Sequence, residues 1–202
     1  MENGNLAITA IRETVTCSDG HINNYTSARL NTRRKLEQLY GRFEARIRVP
    51  SGQGVFPAFW MLGDSANNCG AKPWPSCGEI DIFENIGREP STIHSGIHGP
   101  GYSSGLGGSF TLPGGEAFSA GFHVFVLEWE SSEAVSFYVD DTLFRTIRSA
   151  DLPPGSSWIF NHPADLLVNF AVGGNWPGAP DSTAVFPQTM LVDYVRVFAR
   201  AH

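Results

Sequence analysis

The sequence predicts an all-β domain of many short antiparallel strands, and three observations carry that reading. Segments that alternate apolar and polar residues recur along the chain, as half-buried strands require. Between them lie clusters of turn formers, drawn from 22 glycines and 13 prolines in 202 residues, the punctuation of strands joined by loops. Helix propensity dominates in one segment only, Arg33–Tyr40. A chain of this length forms one domain, residues 1–202, since β-sandwiches of such size are common. With 42% hydrophobic residues it can build a packed core. No apolar run approaches the ~20 residues of a membrane span. The net charge of −6, with 14 basic residues scattered along the chain, argues against a nucleic-acid partner.

Taken in order, Leu6–Thr16 alternates loosely and reads as an early strand pair. Arg33–Tyr40 (RRKLEQLY) has helical propensity but no clear cap, and Gly41 follows at once. Phe43–Val49 alternates cleanly as a strand and ends at Pro50-Ser51-Gly52. Val55–Leu62 is almost wholly apolar, as in a central strand buried on both faces. Trp60 within it is either core or the flat apolar floor of a ligand subsite. The loop 63–77 holds Trp74 between prolines, a rigid aromatic placed to wall a cleft. Cys69 and Cys77 bracket that loop, as a disulfide or a reduced pair; Cys17 reads as a core or edge thiol. Thr92–His98 alternates and puts His94 and His98 on one face, without the third ligand of a zinc site.

Gly99–Gly121 is rich in Gly and Ser, too long for a tight turn, and reads as a loop shaping a cleft rim. Phe122–Glu130 and Ala134–Val139 form a hairpin across Ser131–Glu133, and Leu143–Ile147 follows the turn at Asp140-Asp141. Leu166–Val172 is an apolar strand with one polar residue, Asn169, which needs a hydrogen-bond partner in backbone or ligand. Gly173–Gly178 frames Trp176 on a tight loop, and Met190–Phe198 is the last strand. No repeat or linker divides the chain.

The chemistry lies in Gly78–Asn85, GEIDIFEN, where three carboxylates fall among Ile and Phe. Branched and aromatic residues make this a strand. Side chains alternate, so Glu79 and Asp81 share a face and Glu84 falls on the other. One bulge near Ile82-Phe83 adds a residue and returns Glu84 to its partners. Like charges this close raise one another's pKa, so a purely structural sheet gains nothing from them. Glycoside hydrolysis needs such an array. Four strand steps separate the two Glu backbones by roughly 13 Å, and side chains leaning inward bring the carboxyls toward the ~5–5.5 Å of a retaining mechanism. Asp81 between them helps to separate their pKa values.

GEIDIFENIG resembles the active-site signature of glycoside hydrolase family 16, in the bulged form of endo-1,3-β-glucanases. YGRFEARIRVPSGQGVFPAFWMLG, GIHGPGYSSG, FHVFVLEWE, NFAVGGNWPG and MLVDYVRVF resemble that family too, in its order, from about Asn3 to Phe198. The resemblance implies a jelly-roll β-sandwich of two antiparallel sheets, with the trio in a cleft on one face. It implies Glu79 as nucleophile, Glu84 as acid/base and Asp81 as helper, without a catalytic cofactor. It further implies a β-glucan substrate, with Trp60, His98 and Trp176 as binding residues, which Trp74 and Asn169 join on the reading of the residues above. Arg33–Tyr40 becomes a strand on that likeness. The likeness also implies a structural calcium held by Asp193 and a backbone carbonyl near Gly4. Relatives carry several dozen residues before Asn3, so an absent N-terminal segment and an exported, extracellular protein are expected. Two alternatives are a non-catalytic sugar-binding module on the same scaffold, and a hydrolase of mixed-linkage 1,3-1,4-glucan.

Overall fold

A computed structural model describes residues 1–63 and 74–199 of the chain. Its strands are β1 (Leu6–Thr16), β2 (Ile22–Thr26), β3 (Arg29–Asn31), β4 (Glu37–Gln38), β5 (Gly41–Arg48), β6 (Val55–Gly63) and β7 (Glu79–Glu84), then β8 (Thr92–Gly99), β9 (Tyr102–Thr111), β10 (His123–Ser131), β11 (Ala134–Val139), β12 (Thr142–Arg148), β13 (Ala164–Val172) and β14 (Gln188–Phe198). They form two antiparallel sheets of a jelly-roll sandwich. The back sheet runs β12-β11-β10-β5-β14-β1-β2, and the site sheet runs β3-β13-β6-β7-β8-β9 with β4 beside β13.

Alternation builds the core between the sheets. Phe43, Ala45 and Ile47 of β5 are fully buried from the back sheet; Ile80, Ile82 and Phe83 of β7 are buried from the site sheet. Phe83 stacks on Phe125 of β10 with ring centroids 4.1 Å apart, one of the contacts that fix the sheet spacing. Each such Phe contributes roughly 1.5–3 kcal/mol by leaving water.

Several segments depart from the sequence reading. Leu6–Thr16 is one strand, not a pair: Leu6–Ala10 follows β14, and Ile11–Thr16 follows β2. Arg33–Tyr40 is neither a helix nor a full strand. Turns occupy it apart from the two residues of β4, and Arg34 and Tyr40 take positive φ (59° and 58°). Pairing of β4 with β13 overrides local propensity here. Gly99–Gly121 is not a loop throughout, because Tyr102–Thr111 is the edge strand β9. Cys17 is half-buried beyond β1, its sulfur accepting from Asn23 Nδ2 at 3.0 Å. Cys69, and with it the Cys69–Cys77 pairing, lies outside the described residues.

At the calcium position, Leu6 pairs with Val192, which sets the Asn3-Gly4 turn near Asp193. Asp193 Oδ2 already accepts from Arg46 Nη1 at 2.7 Å. Of the roughly six to eight oxygens that calcium takes, Asp193 and the turn carbonyl would supply two, the rest falling to backbone carbonyls and water.

Candidate active site

β7 carries the trio, and its pairing shows how they share a face. Glu79 lies opposite Leu62, Asp81 opposite Trp60, and Glu84 opposite Ala58 on β6. Those partners are two residues apart each time, so all three acids point the same way. The register skips Ile82, which is the bulge. Its signature is two consecutive core residues: Ile82 and Phe83 are both buried while Glu84 faces the groove. A bulge leaves backbone groups without ladder partners. Ser95 Oγ on β8 donates to the Ile82 carbonyl at 2.7 Å and fills that need.

Two grooves meet over the trio. One, of ≈ 530 Å³, lies over β6 and β13 beside Trp60, Asn169, Phe56 and Arg29. The other, of ≈ 560 Å³, lies over β8 and β9 beside His94, His98, Gly107 and Trp176. Glu79, Asp81 and Glu84 line both. The result is one cleft crossing the strands, with the carboxylates at its middle.

The environment pushes every carboxyl up from its ordinary value. Burial, then repulsion from Asp81, raises Glu79 to about 7, eased by His98 and by Trp74. Burial, then Asp81, raises Glu84 to about 9. Asp81 is raised mainly by burial, and His98 opposes that. His98 Nε2 stands 3.0 Å from Asp81 Oδ2, off the line of a good hydrogen bond, so that oxygen has no other partner. The other imidazole nitrogen, Nδ1, lies 3.0 Å from the Ser103 carbonyl and donates to it. Both ring nitrogens thus face acceptors, which favours imidazolium, and Asp81 is the leading cause lifting His98 to about 9 against its burial. Glu84 keeps its proton to higher pH than Glu79. An acid and a nucleophile need that ordering.

The binding candidates converge on the cleft. Trp60 Nε1 donates to Asn169 Oδ1 at 2.7 Å, so Asn169 spends its acceptor on locking the indole. Trp74 Nε1 donates to Glu79 Oε2 at 3.0 Å, a tie to the acid strand closer than a cleft wall demands. Trp176 lies edge-on to Phe56 and His94, with centroids at 5.5 and 5.1 Å. Its carbonyl accepts from Arg88 Nη1. Glu89 Oε2 is 2.8 Å from His94 Nε2, so His94 supports the Trp176 loop rather than the trio. Among the described residues, Glu79, Asp81 and His98 are a group whose donor atoms lie within 4.8 Å of one another. A cation there would occupy the reacting position.

Reading the sequence missed Ser95, Asn85 and Arg88. Asn85 is buried, and its amide donates to the Glu89 and Thr92 carbonyls at 3.2 and 2.8 Å, closing the β7–β8 turn. A polar residue directly after the acid strand is the signal that would have found it. Ser95 and Arg88 carry no such signal, since their roles depend on pairing across strands and loops.

Comparison with known proteins agrees with this geometry. The model of the family described as glycosyl hydrolases family 16 matches residues 2–196. A beta-glucanase of Rhodothermus marinus is 41% identical over 183 residues, 86% of this chain and 62% of that protein. Glucan endo-1,3-beta-glucosidase A1 of Niallia circulans is 37% identical over 185 residues, covering 86% of this chain and 26% of that protein. The chain therefore spans less than two thirds of either curated relative. The laminarinase catalytic domain of Thermotoga maritima superposes with a TM-score of 0.93 at 45% identity, over 100% of this chain and 80% of that one.

Proposed function

The chain belongs to glycosyl hydrolase family 16, and from that premise we propose that it is a retaining endo-β-1,3-glucanase cutting internal linkages of laminarin-type glucans. The observation that carries the reading is the bulged β7 strand, which sets two glutamates and an aspartate on one face in an open cleft. Relatives named for laminarinase and endo-1,3-glucosidase activity support the linkage.

In the proposed reaction Glu84, protonated at neutral pH, gives its proton to the leaving glycosidic oxygen. Glu79 attacks the anomeric carbon and forms a glycosyl-enzyme. Glu84, now a carboxylate, removes a proton from water, and that water releases the sugar with its β-configuration retained. Asp81 stays buried between them beside His98. Trp60, Trp74 and Trp176 offer indole faces to the sugar chain. An open cleft rather than a closed pocket suits cutting within a polymer. The chain acts as one catalytic domain, and a polymer outside the cell as substrate implies an exported enzyme. No helix of the described residues is long and apolar enough to cross a membrane. A sugar-binding module without catalysis has no use for the raised Glu79 and Glu84.

Product analysis on laminarin, lichenan and agarose tests the assignment. Laminarin should yield a ladder of oligosaccharides whose new reducing ends are β-anomers at early times. Agarose cleavage without laminarin cleavage, or α-anomers first, would overturn it.

A further inference from the structure

His94 and His98 share a face without a third ligand, but the neighbouring strand brings two carboxylates to His98. Glu79 of β7 pairs with His98 of β8, and Asp81 follows two residues on, on the same face. His98 Nε2 is 3.0 Å from Asp81 Oδ2. One donor atom from each of Glu79, Asp81 and His98 lies within 4.8 Å of the others. Ligands held at ~2.0–2.1 Å by a tetrahedral zinc stand roughly 3.3 Å apart, so side-chain adjustment alone closes this set on an ion.

The surroundings of all three are those of metal ligands. His98 Nδ1 donates to the Ser103 carbonyl at 3.0 Å. That bond fixes the ring and aims Nε2 at Asp81, as the outer shell of a metal-binding histidine does. Trp74 Nε1 orients Glu79 through Oε2, and a carboxylate has a second oxygen to give. Asp81 is 3% exposed, and its Oδ2 has no hydrogen-bond partner; a cation supplies the contact it lacks. One imidazole and two carboxylates suit zinc, whereas calcium and magnesium take oxygen ligands in larger number. Both grooves of the cleft reach the trio, so the fourth position opens to water. Elsewhere among the described residues His21, His94 and His123 stand beside one carboxylate each, from Asp19, Glu89 and Asp140. Two donors make a far weaker site.

We propose that Glu79, Asp81 and His98 form an inhibitory zinc site, at which the metal and the glucan exclude each other. Zinc takes the Nε2 lone pair, and the proton held there passes to solvent. The metal then lies against Glu79, where the anomeric carbon must come in the reaction described above. The inhibition therefore rests on the β-glucanase reading, and the binding does not.

Calorimetric titration of EDTA-treated protein with zinc chloride tests the binding. The wild type should take one zinc at this site, and His98→Gln and Asp81→Asn should each weaken it at least tenfold. His21→Gln, His94→Gln and Cys17→Ser should leave its affinity within twofold. Cobalt chloride should give the strong visible absorption of a four-coordinate ion, lost in His98→Gln. No binding, or binding indifferent to both His98→Gln and Asp81→Asn in proteins that melt like the wild type, would overturn the proposal. Wild-type crystals soaked in zinc chloride cover the case in which those variants do not fold. An anomalous peak bonded to Glu79, Asp81 and His98 supports the site, whereas peaks elsewhere but none here overturn it. On laminarin, zinc should raise KM with kcat within twofold, and EDTA should reverse the effect. Zinc that lowers kcat and leaves KM alone overturns the mutual exclusion. Zinc held by the trio of a protein inert on every β-glucan overturns the glucanase reading and leaves the metal site standing. An active enzyme that holds no zinc there overturns this proposal alone.

Discussion

Replacing Glu84 by Gln should stabilise the protein, and the gain should grow with pH. Folding lifts Glu84 from its ordinary 4.5 to about 9, burial first and Asp81 second. A carboxyl whose pKa rises on folding binds its proton more tightly in the native state. It therefore costs nothing below pH 4.5, and progressively more as pH climbs from there toward 9. At pH 7 the side chain is largely buried and the ceiling is roughly 3 kcal/mol, at 1.36 kcal/mol per unit. Glu84 is already neutral in the folded state at pH 7, so Gln removes the cost of taking up that proton, and roughly 1–3 kcal/mol should be recovered. For a domain of this size that is a rise in Tm of about 2–10 °C. Thermal unfolding of both proteins at pH 5, 7 and 8.5 checks it. The difference in Tm should be small at pH 5 and largest at pH 8.5. A Gln variant that melts lower, or by the same margin at every pH, would show that Glu84 is not held protonated by its surroundings.

The same variant should lose far more activity on laminarin than on an aryl β-glucoside with a good leaving group, which needs no proton from Glu84; equal losses would remove the acid role. The wild-type kcat/KM should rise with pH as Glu79 ionises near 7 and fall as Glu84 loses its proton near 9. His98→Gln removes the positive charge that lowers Glu79, so the acidic limb of that profile should move to higher pH; a shift the other way counts against it. Trp176→Ala should raise KM several-fold with Tm changed by only a few degrees, because the ring is 36% exposed; a loss of roughly 3–5 kcal/mol in stability would mark it as core. Deleting Ile82 removes the bulge yet leaves Glu79, Asp81 and Glu84 in strict alternation on one face. That protein should fold less stably but keep measurable hydrolysis, while deleting Ile80 puts Glu79 on the core side and should abolish it.

The trio and its bulge were legible in the sequence because two periodicities conflict there. Asp81-Ile82-Phe83-Glu84 cannot alternate and still keep both apolar residues inside. Unbulged, Glu84 would point at the Phe125 neighbourhood that Phe83 occupies, and one inserted residue resolves the conflict. Arg33–Tyr40 holds helix formers in a place where only tertiary pairing decides, and the strand that the likeness assigns there shrinks to two residues, β4, held by β13. The strand β9 was read as a loop for the opposite reason. Its glycines signal turns by composition, yet they serve close approach: a Cβ on Gly107 would stand 2.2 Å from the Ser95 carbonyl of β8. Side chains there would push β9 from β8 and lift the floor of the cleft beside His98. Ser95 is the same residue whose hydroxyl satisfies Ile82 at the bulge. One short segment of β8 thus supports both the placement of Glu84 and the flatness of the surface beside it. Neither task has a motif, because each is defined by what lies across the sheet rather than along the chain.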